Sequence, residues 1–177
     1  VSTYLGRWGD PLPDGAAVWT GDLIVSYLAR WIVPGDLLAR AAMAINFHPG
    51  TPEYPGYGCN NFAIYEGAAE YGVTCHHMAP RVDTGAIIEV RRFPVLASDN
   101  AGTLLARAYD FQLVLFYGVA GRIIRGEALP VSPEAWTRKP FTRKQFSELG
   151  RMTSAMTEHE IAKRKRALEV GALKPAS

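Results

Sequence analysis

Three polar residues, Asn46, His48 and Asp83, stand where side chains could act together on a substrate. Asn46 and His48 are two residues apart in an apolar run that begins at Ala44, and a loop rich in proline and glycine follows them. If the strand extends to His48, the two side chains share one of its faces, because side chains alternate along a strand. Asp83 opens the turn sequence Asp-Thr-Gly between two later apolar segments.

An amide, an imidazole and a carboxylate suit the transfer or hydrolysis of an activated carbonyl group. The amide NH2 and a protonated imidazole can both donate to an oxyanion, and removing one such donor typically costs about 2.7–4 kcal/mol of transition-state stabilisation. A carboxylate stabilises the charged imidazole and helps to move a proton to or from water or an amine. The residue types leave an alternative open, in which Asn46 and His48 bond backbone groups in a turn and Asp83 is a turn residue.

The segments around these residues predict an α/β fold. The runs at 22–28 and 44–47 are typical of buried strands, and a Pro-Gly-Asp sequence predicts a short helix over 36–42 between them. A strand, a helix and a strand within about 25 residues form a tight βαβ unit, which implies parallel pairing. Ligands of open α/β sheets bind beyond the carboxyl ends of the strands, which is where Asn46 and His48 lie.

Further elements are predicted along the rest of the chain. They are a helix ending near Gly72, strands over 73–80 and 85–95, an amphipathic helix over 101–120 capped by Asp99 or Thr103, and two short helices in the tail. Helix N-cap patterns occur in the tail at 132–134, 142–145 and 157–160. We therefore expect a core over 1–125 and a helical extension over 126–177, packed on the core or following it.

The composition bounds the class of protein. A length of 177 residues with 48% hydrophobic and 20% charged residues is typical of one soluble domain. The net charge of +2 gives no general case for a nucleic-acid or membrane partner, and no apolar run reaches the roughly 18 residues of a transmembrane helix. Two cysteines do not make a disulfide framework, so a cytoplasmic location is predicted. Adjacent His76 and His77 would point to opposite faces of a strand, so no metal site is expected.

Several separated segments together resemble the formyltransferases that use 10-formyltetrahydrofolate. These segments are INFHPGTPEYPGYG, AIYEG and YGVTCHHMAPRVDTGAII, within a similarity that covers residues 22–95. The resemblance implies a Rossmann-like formyltransferase fold with a mostly parallel central sheet, 10-formyltetrahydrofolate as the formyl donor, and no metal. It implies that Asn46 holds the formyl oxygen and that His48 stabilises the oxyanion or acts as an acid. Asp83 would then tune His48, position a water and help to shuttle the proton of the amine.

The resemblance also implies a folate-binding segment. The residues that match the two sides of the pterin site are Arg30, Trp31, Ile32 and Val33 on one side and Val82 with Asp83 on the other. Backbone donors and acceptors beside apolar side chains suit a flat heteroaromatic ring. A histidine in the place of His76 is tolerated in the family and is interpreted as structural or as lining the site.

The start of the sequence differs from this family. The family fold begins with one or more strand–helix units before the segment that matches 22–28, whereas 21 residues precede it here and resemble a loop with one strand at 2–5. We therefore expect a fold that is shortened at its N-terminus, or completed outside this chain, with an exposed sheet edge. A partner can cover such an edge, which makes a homodimer a hypothesis.

Three functions are open as hypotheses. The loop FHPGTPEYPG and the run EYGVTCHHMAPRVDTGAII resemble most the sugar formyltransferases, which favours formyl transfer to the amine of a small acceptor such as a nucleotide-linked amino sugar. The resemblance implies that methionyl-tRNA formyltransferases have a further carboxy-terminal domain that holds the tRNA, and we do not expect that domain within these 177 residues. The alternatives are hydrolysis of the same donor and a non-catalytic folate-binding or interaction domain. The basic segment 137–144 is either a solvated surface or a contact for a phosphorylated acceptor, and Trp136 before it is interpreted as a packing residue.

Overall fold

The computed structural model describes residues 1–7 and 9–169, in which four strands form one sheet beside six helices. The strands are β1 Gly21–Tyr27, β2 Ala41–His48, β3 Glu70–His77 and β4 Ile87–Pro94. The helices are α1 Asp14–Ala17, α2 Gly35–Leu38, α3 Cys59–Glu66, α4 Ala101–Ile124, α5 Arg143–Gly150 and α6 Glu158–Leu168. The predicted α/β class is confirmed.

The sheet has the order β1-β2-β3-β4. β1 and β2 are parallel, with Ser26 opposite Asn46, as the predicted βαβ unit requires. β3 runs antiparallel to β2 and places His76 opposite Asn46, and β4 runs antiparallel to β3. β3 and β4 are joined by a short loop without a helix, whereas parallel strands need a long crossover. Parallel pairing therefore describes the start of the sheet, and the two pairings that follow it are antiparallel.

The connection inside the βαβ unit is shorter than predicted. α2 ends at Leu38 rather than at residue 42, and β2 begins at Ala41 rather than at residue 44. Ala41 pairs with Gly21 in the parallel ladder. Residues 41–44 are rich in alanine, which favours a helix, but the hydrogen bonds of the sheet hold them in a strand. Tertiary pairing therefore overrides the local helix propensity here.

The predicted end of the third helix near Gly72 is wrong. α3 ends at Glu66, and Gly67 follows with a φ of 73°, the left-handed conformation that glycine adopts at helix ends. Ala68 N donates to Ala63 O, which satisfies a carbonyl group of the last turn. The chain then enters β3, so the residues after Gly67 belong to the sheet.

The long helix α4 covers one face of the sheet. Its N-cap is Asn100 rather than the predicted Asp99 or Thr103, and it extends to Ile124. The Asn100 side chain accepts a hydrogen bond from Thr103 N, and the Thr103 hydroxyl accepts one from Asn100 N. Its buried side chains pack against those of the strands in a single core: Leu104, Ala108, Leu115 and Val119 with Ile45, Phe47, Tyr71 and Val73.

Gln112 is a fully buried polar residue on the same face of α4. Its Nε2 donates a hydrogen bond of 2.9 Å to Phe47 O. Phe47 lies between Asn46 and His48 in β2, so this bond ties the helix to the strand end that carries the two candidate catalytic side chains. Buried polar groups are nearly always hydrogen-bonded, which explains the reach of this amide toward the strand.

The two helices predicted in the tail are confirmed. Thr142 caps α5 and Thr157 caps α6. α6 packs on α3, where Asn61 Nδ2 donates a 2.7 Å hydrogen bond to Ala167 O. The division into a core and an extension at residue 125 stays a prediction.

The helix start predicted at Ser132 is wrong. The Ser132 hydroxyl accepts a hydrogen bond from Glu134 N. Ser132 N, however, donates to Ile87 O in β4, and the Glu134 carboxylate binds Arg92. These bonds to the sheet hold the segment as irregular chain.

None of the helices in the described part of the chain has the length and hydropathy needed to cross a membrane. Cys59 and Cys75 are both buried free thiols. Burial raises the pKa of Cys59 to about 11 and that of Cys75 to about 12. Both side chains therefore act as packing residues at neutral pH.

Candidate functional site

Asn46 and His48 lie at the end of β2, where the chain enters the loop 51–57. Asn46 is half-buried and His48 is only 5% exposed. The loop folds back over the imidazole, so that His48 Nε2 lies 2.9 Å from Tyr54 O. A Cβ atom at Gly50 would lie 2.5 Å from His48 Nε2, so this approach requires glycine at that position.

Asp83 reaches His48 from the loop between β3 and β4. Its Oδ2 lies 3.2 Å from His48 Nδ1 and accepts a 2.8 Å hydrogen bond from Gly56 N. The Asp83 backbone has a φ of 48°, in the left-handed region that non-glycine residues rarely adopt. The surrounding contacts hold this strained conformation, which directs the carboxylate at the imidazole.

His76 joins Asn46 to Asp83. Its Nε2 lies 3.1 Å from Asn46 Nδ2 and 3.3 Å from Asp83 Oδ1, while its Nδ1 lies 2.7 Å from His77 O. The structure therefore brings the three predicted catalytic residues into one cluster, with His76 as a fourth member. From the sequence, His76 is interpreted as structural or as lining the site. The signal that would identify it is the antiparallel register that places His76 opposite Asn46, and that register is a property of the fold.

The carboxyl group of Asp83 stays ionised because of these partners. Burial by itself raises its pKa, but the charge of His48, the contact with His76 and the Gly56 N–H lower it to about 2. The carboxylate is 5% exposed, so water screens these interactions little. The site therefore contains a buried negative charge at neutral pH.

Each ring nitrogen of His48 faces an oxygen acceptor, Tyr54 O at Nε2 and Asp83 Oδ2 at Nδ1. A carbonyl oxygen only accepts, so His48 Nε2 carries the hydrogen that bonds Tyr54 O. Its Nδ1 faces the ionised Asp83, and a second proton there turns this contact into a charge-assisted hydrogen bond. His76 Nε2 can accept from Asn46 when His76 is neutral and can donate to Asp83 when it is protonated.

Trp136 covers this cluster from outside the sheet. Its ring centroid lies 5.9 Å from that of His48 and 5.0 Å from that of His76, in edge-to-face geometry. Its Nε1 donates a 2.8 Å hydrogen bond to Gly85 O, in the same loop as Asp83. The sequence indicated only a packing role, because no local pattern connects a lone tryptophan to residues that are distant in the chain.

The residues predicted to bind folate lie on two loops. The loop of Ile32 leaves β1 next to Tyr27, which pairs with Phe47, so this loop starts beside His48. Ile32 is 74% exposed and Val82 is 44% exposed. Exposed apolar side chains in loops such as these can pack against one face of a flat heteroaromatic ring.

The other residues of the predicted folate segment differ in their surroundings. Trp31 Nε1 donates hydrogen bonds of 3.0 and 3.1 Å to Asp10 O and Pro11 O, so this donor is already bonded within the chain. Arg30 is exposed and Val33 is half-buried. Their contact with a pterin ring stays a prediction.

The basic segment 137–144 is partly engaged within the protein. Arg138 forms hydrogen bonds of 2.8 and 3.1 Å with Glu66 and lies over the ring of Tyr54. Arg143 lies over the ring of Tyr57. Lys139 and Lys144 are exposed.

Within the described residues, no group of three or more His, Cys, Asp or Glu side chains is arranged to hold a metal ion.

Residues 16–118 match the family model described as formyl transferase. The methionyl-tRNA formyltransferase of Enterococcus faecalis is 32% identical over 142 residues, which cover 77% of this chain and 45% of that protein. The chain spans 36–45% of the length of the curated methionyl-tRNA formyltransferases that it matches.

Solved structures share the fold. A sugar N-formyltransferase from Shewanella superposes with a TM-score of 0.74 at 23% identity, over 85% of this chain and 61% of that one. An N-formyltransferase from Helicobacter canadensis, solved with folinic acid and dTDP-3-aminofucose, has a TM-score of 0.67 at 25% identity, over 81% of this chain and 53% of that one. The expected Rossmann-like α/β fold is thereby confirmed.

Proposed function

Because the chain belongs to the formyl transferase family, we propose that it transfers a formyl group from 10-formyltetrahydrofolate to the amine of a small acceptor. The observation that carries the proposal is the buried cluster in which Asp83 contacts both His48 and His76, and His76 contacts Asn46. An amide, an imidazole and a carboxylate around one point are the groups that this transfer needs.

10-Formyltetrahydrofolate, when bound, supplies an activated formyl carbon to the attacking amine. Asn46 can donate an amide N–H to the formyl oxygen, where negative charge develops. His48 in its charged form adds a second donor, which requires its Nε2–H to be shared between Tyr54 O and the substrate oxygen. In the transfer, the amine nitrogen bonds to the formyl carbon and the bond from that carbon to the folate nitrogen breaks. Asp83 would accept the proton that the amine loses, and this proton can pass to the departing folate nitrogen.

A nucleotide-linked amino sugar is the acceptor that we favour. Two of the structures with this fold are an enzyme named as a sugar N-formyltransferase and one solved with a nucleotide-linked amino sugar. Lys139 and Lys144 are exposed in the basic segment 137–144, and such cations suit the phosphates of a nucleotide. A cytoplasmic location also stays a prediction.

The function is tested by incubating the protein with 10-formyltetrahydrofolate and a panel of amines. We expect a mass gain of one formyl group on a nucleotide-linked amino sugar, and methionyl-tRNA belongs in the panel because methionyl-tRNA formyltransferases are among the relatives. Formate release without any amine would indicate a hydrolase. Folate binding without turnover would indicate a binding domain.

The His48→Ala variant separates catalysis from folding. Loss of an oxyanion donor should lower kcat by about 10²–10³-fold in protein that thermal melting shows to be folded, although the melting temperature should fall because Asp83 loses one of its partners. His159→Ala is the matched control, because His159 is an exposed histidine on α6. Equal turnover in the two variants would contradict the proposed role of His48.

A further inference from the structure

Residues 131–141, here called the strap, cross the outside of the candidate site after α4. The family model ends at residue 118, so the strap lies outside the segment that matches it. Backbone hydrogen bonds of 2.9–3.2 Å join the strap to the loop that follows His48: Thr137 N to Pro52 O, Phe141 N to Pro55 O, and Tyr57 N to Phe141 O. The strap and the loop 51–57 therefore form one hydrogen-bonded unit.

Charged side chains fix the strap to the sheet as well. Arg92 of β4 binds Glu53 of the loop with distances of 3.0 and 3.2 Å and also binds Glu134 of the strap. Ser132 N donates to Ile87 O at the start of β4. The backbone is therefore held on both sides of Trp136, and this fixes the position of its indole ring.

That position is in contact with both imidazoles and with the Asp83 loop. The indole lies edge-to-face with the rings of His48 and His76 and donates its N–H to Gly85 O. The two histidines and Asp83 are each at most 5% exposed. One side chain therefore closes the cluster against water and bonds the loop that holds Asp83 in its left-handed conformation.

We infer that Trp136 is a positioning residue of the formyl-transfer site, which orients both imidazoles and keeps the Asp83 loop in place. This inference rests on the proposed function, because it assigns the indole a role in that reaction. Trp136 acts through His48, His76 and Asp83. A displacement of about 1 Å in such groups can cost about 100-fold in rate.

The test compares Trp136→Leu and Trp136→Phe with Trp19→Phe. The leucine variant loses both the ring contacts and the hydrogen bond, whereas the phenylalanine variant keeps a ring and loses only the hydrogen bond. Trp19 is a half-buried tryptophan that packs against Gly21 at the start of β1, so it is a matched control. Thermal melting of each variant shows whether it is folded.

We expect Trp136→Leu to lower kcat by about 10–100-fold, with the KM for the formyl donor changed less than about twofold. Trp136→Phe should lose less, and Trp19→Phe should match the wild type. A role in folding alone would lower the melting temperature and the amount of active protein without this separation of kcat from KM. Wild-type kcat in a folded Trp136→Leu protein would overturn the inference. If that variant does not fold, equal kcat in Trp136→Phe and Trp19→Phe would overturn it.

A second readout does not depend on activity. In NMR spectra, the ring N–H protons of His48 and His76 should be observable in the wild type and in Trp19→Phe, because they are hydrogen-bonded and shielded from water. They should exchange with water and disappear in Trp136→Leu, and their persistence there would overturn the inference. Absence of formyl transfer by the wild-type protein with every amine would instead contradict the proposed function, so the two failures are distinguishable.

Discussion

At the scale of single residues, the candidate site depends most on Asp83. Its two carboxylate oxygens face different histidines, 3.2 Å from His48 and 3.3 Å from His76. A buried charge is costly unless it is paired and hydrogen-bonded, and removing one partner of a buried pair is strongly destabilising. The contacts with both histidines and with Gly56 N therefore hold the Asp83 carboxylate inside the protein.

The Asp83→Asn substitution removes this charge while nearly keeping the size of the side chain. We expect kcat for formyl transfer to fall by about 10²–10⁴-fold, because the amide cannot accept the proton that the amine loses. Asp36→Asn is the control, since the Asp36 side chain lies in α2, is 80% exposed and pairs with Arg40. An Asp83→Asn protein as active as the control would show that Asp83 is only a turn residue.

The lowered pKa of Asp83 also predicts how stability depends on pH. A group whose pKa is lower in the folded state stabilises the fold above its unfolded pKa and loses this effect as pH falls through the folded value. The pKa of Asp83 falls from 3.8 to about 2, so its contribution should disappear between about pH 4 and pH 2. At roughly 1.4 kcal/mol per unit, this amounts to about 2 kcal/mol of the free energy of unfolding.

Urea unfolding at a series of pH values measures this contribution. The wild-type free energy of unfolding should fall more steeply below about pH 4 than that of Asp83→Asn, because only the wild type binds this extra proton on unfolding. Asp36→Asn should keep the wild-type slope. Parallel curves for the wild type and Asp83→Asn would contradict the assigned pKa.

At the scale of elements, two loops bring the site together. The loop 51–57 supplies Tyr54 O and Gly56 N to the cluster, and the loop between β3 and β4 supplies Asp83. Gly85 lets the second loop pass close to the sheet, because a Cβ atom there would lie 1.8 Å from His77 O. The loop can reach His48 only when this position has no side chain.

The Gly85→Ala substitution tests this close approach. The methyl group meets a backbone oxygen that cannot turn away, so we expect a loss of about 1–3 kcal/mol in the free energy of unfolding and a fall in kcat as Asp83 shifts. Gly35→Ala is the matched control, because nothing lies within 4 Å of a Cβ atom at Gly35. Chemical denaturation and turnover of both variants measure the difference, and equal stability would contradict the close contact.

At the scale of the whole molecule, β1 forms an edge of the sheet in the described residues, since it pairs only with β2. Val25 in this strand is 41% exposed. On the adjacent helix α4, Tyr117 is 68% exposed and Leu113 is 46% exposed, and Phe116 beside them packs on Tyr27 with ring centroids 5.2 Å apart. An uncovered edge next to apolar side chains tends to pair with another chain.

We predict that this edge mediates self-association. Light scattering coupled to size-exclusion chromatography should show a dimer, and Val25→Lys should shift it toward the monomer, because a charged edge strand resists pairing. Val131→Lys is the control, because Val131 is 89% exposed and lies on the strap. A wild-type protein that stays monomeric at all concentrations would contradict this prediction.

The amino-acid sequence determined the features that depend on local order. Strand alternation placed Asn46 and His48 on one face, and the Thr142 and Thr157 patterns located the tail helices, because caps act within a few residues. The parallel pairing of β1 with β2 followed from the helical segment predicted between the two strands. These properties need only neighbouring residues, so the sequence alone was enough for them.

The tertiary structure alone decided what joins these elements at the site. The antiparallel register of β3 makes His76 a fourth member of the cluster, and the strap places Trp136 over both imidazoles. The start of β3 at Glu70 and the irregular chain after Ser132 likewise reflect pairing with distant strands. Such contacts are set by packing between segments far apart in the chain, and no local pattern records which partner a strand or an indole will meet.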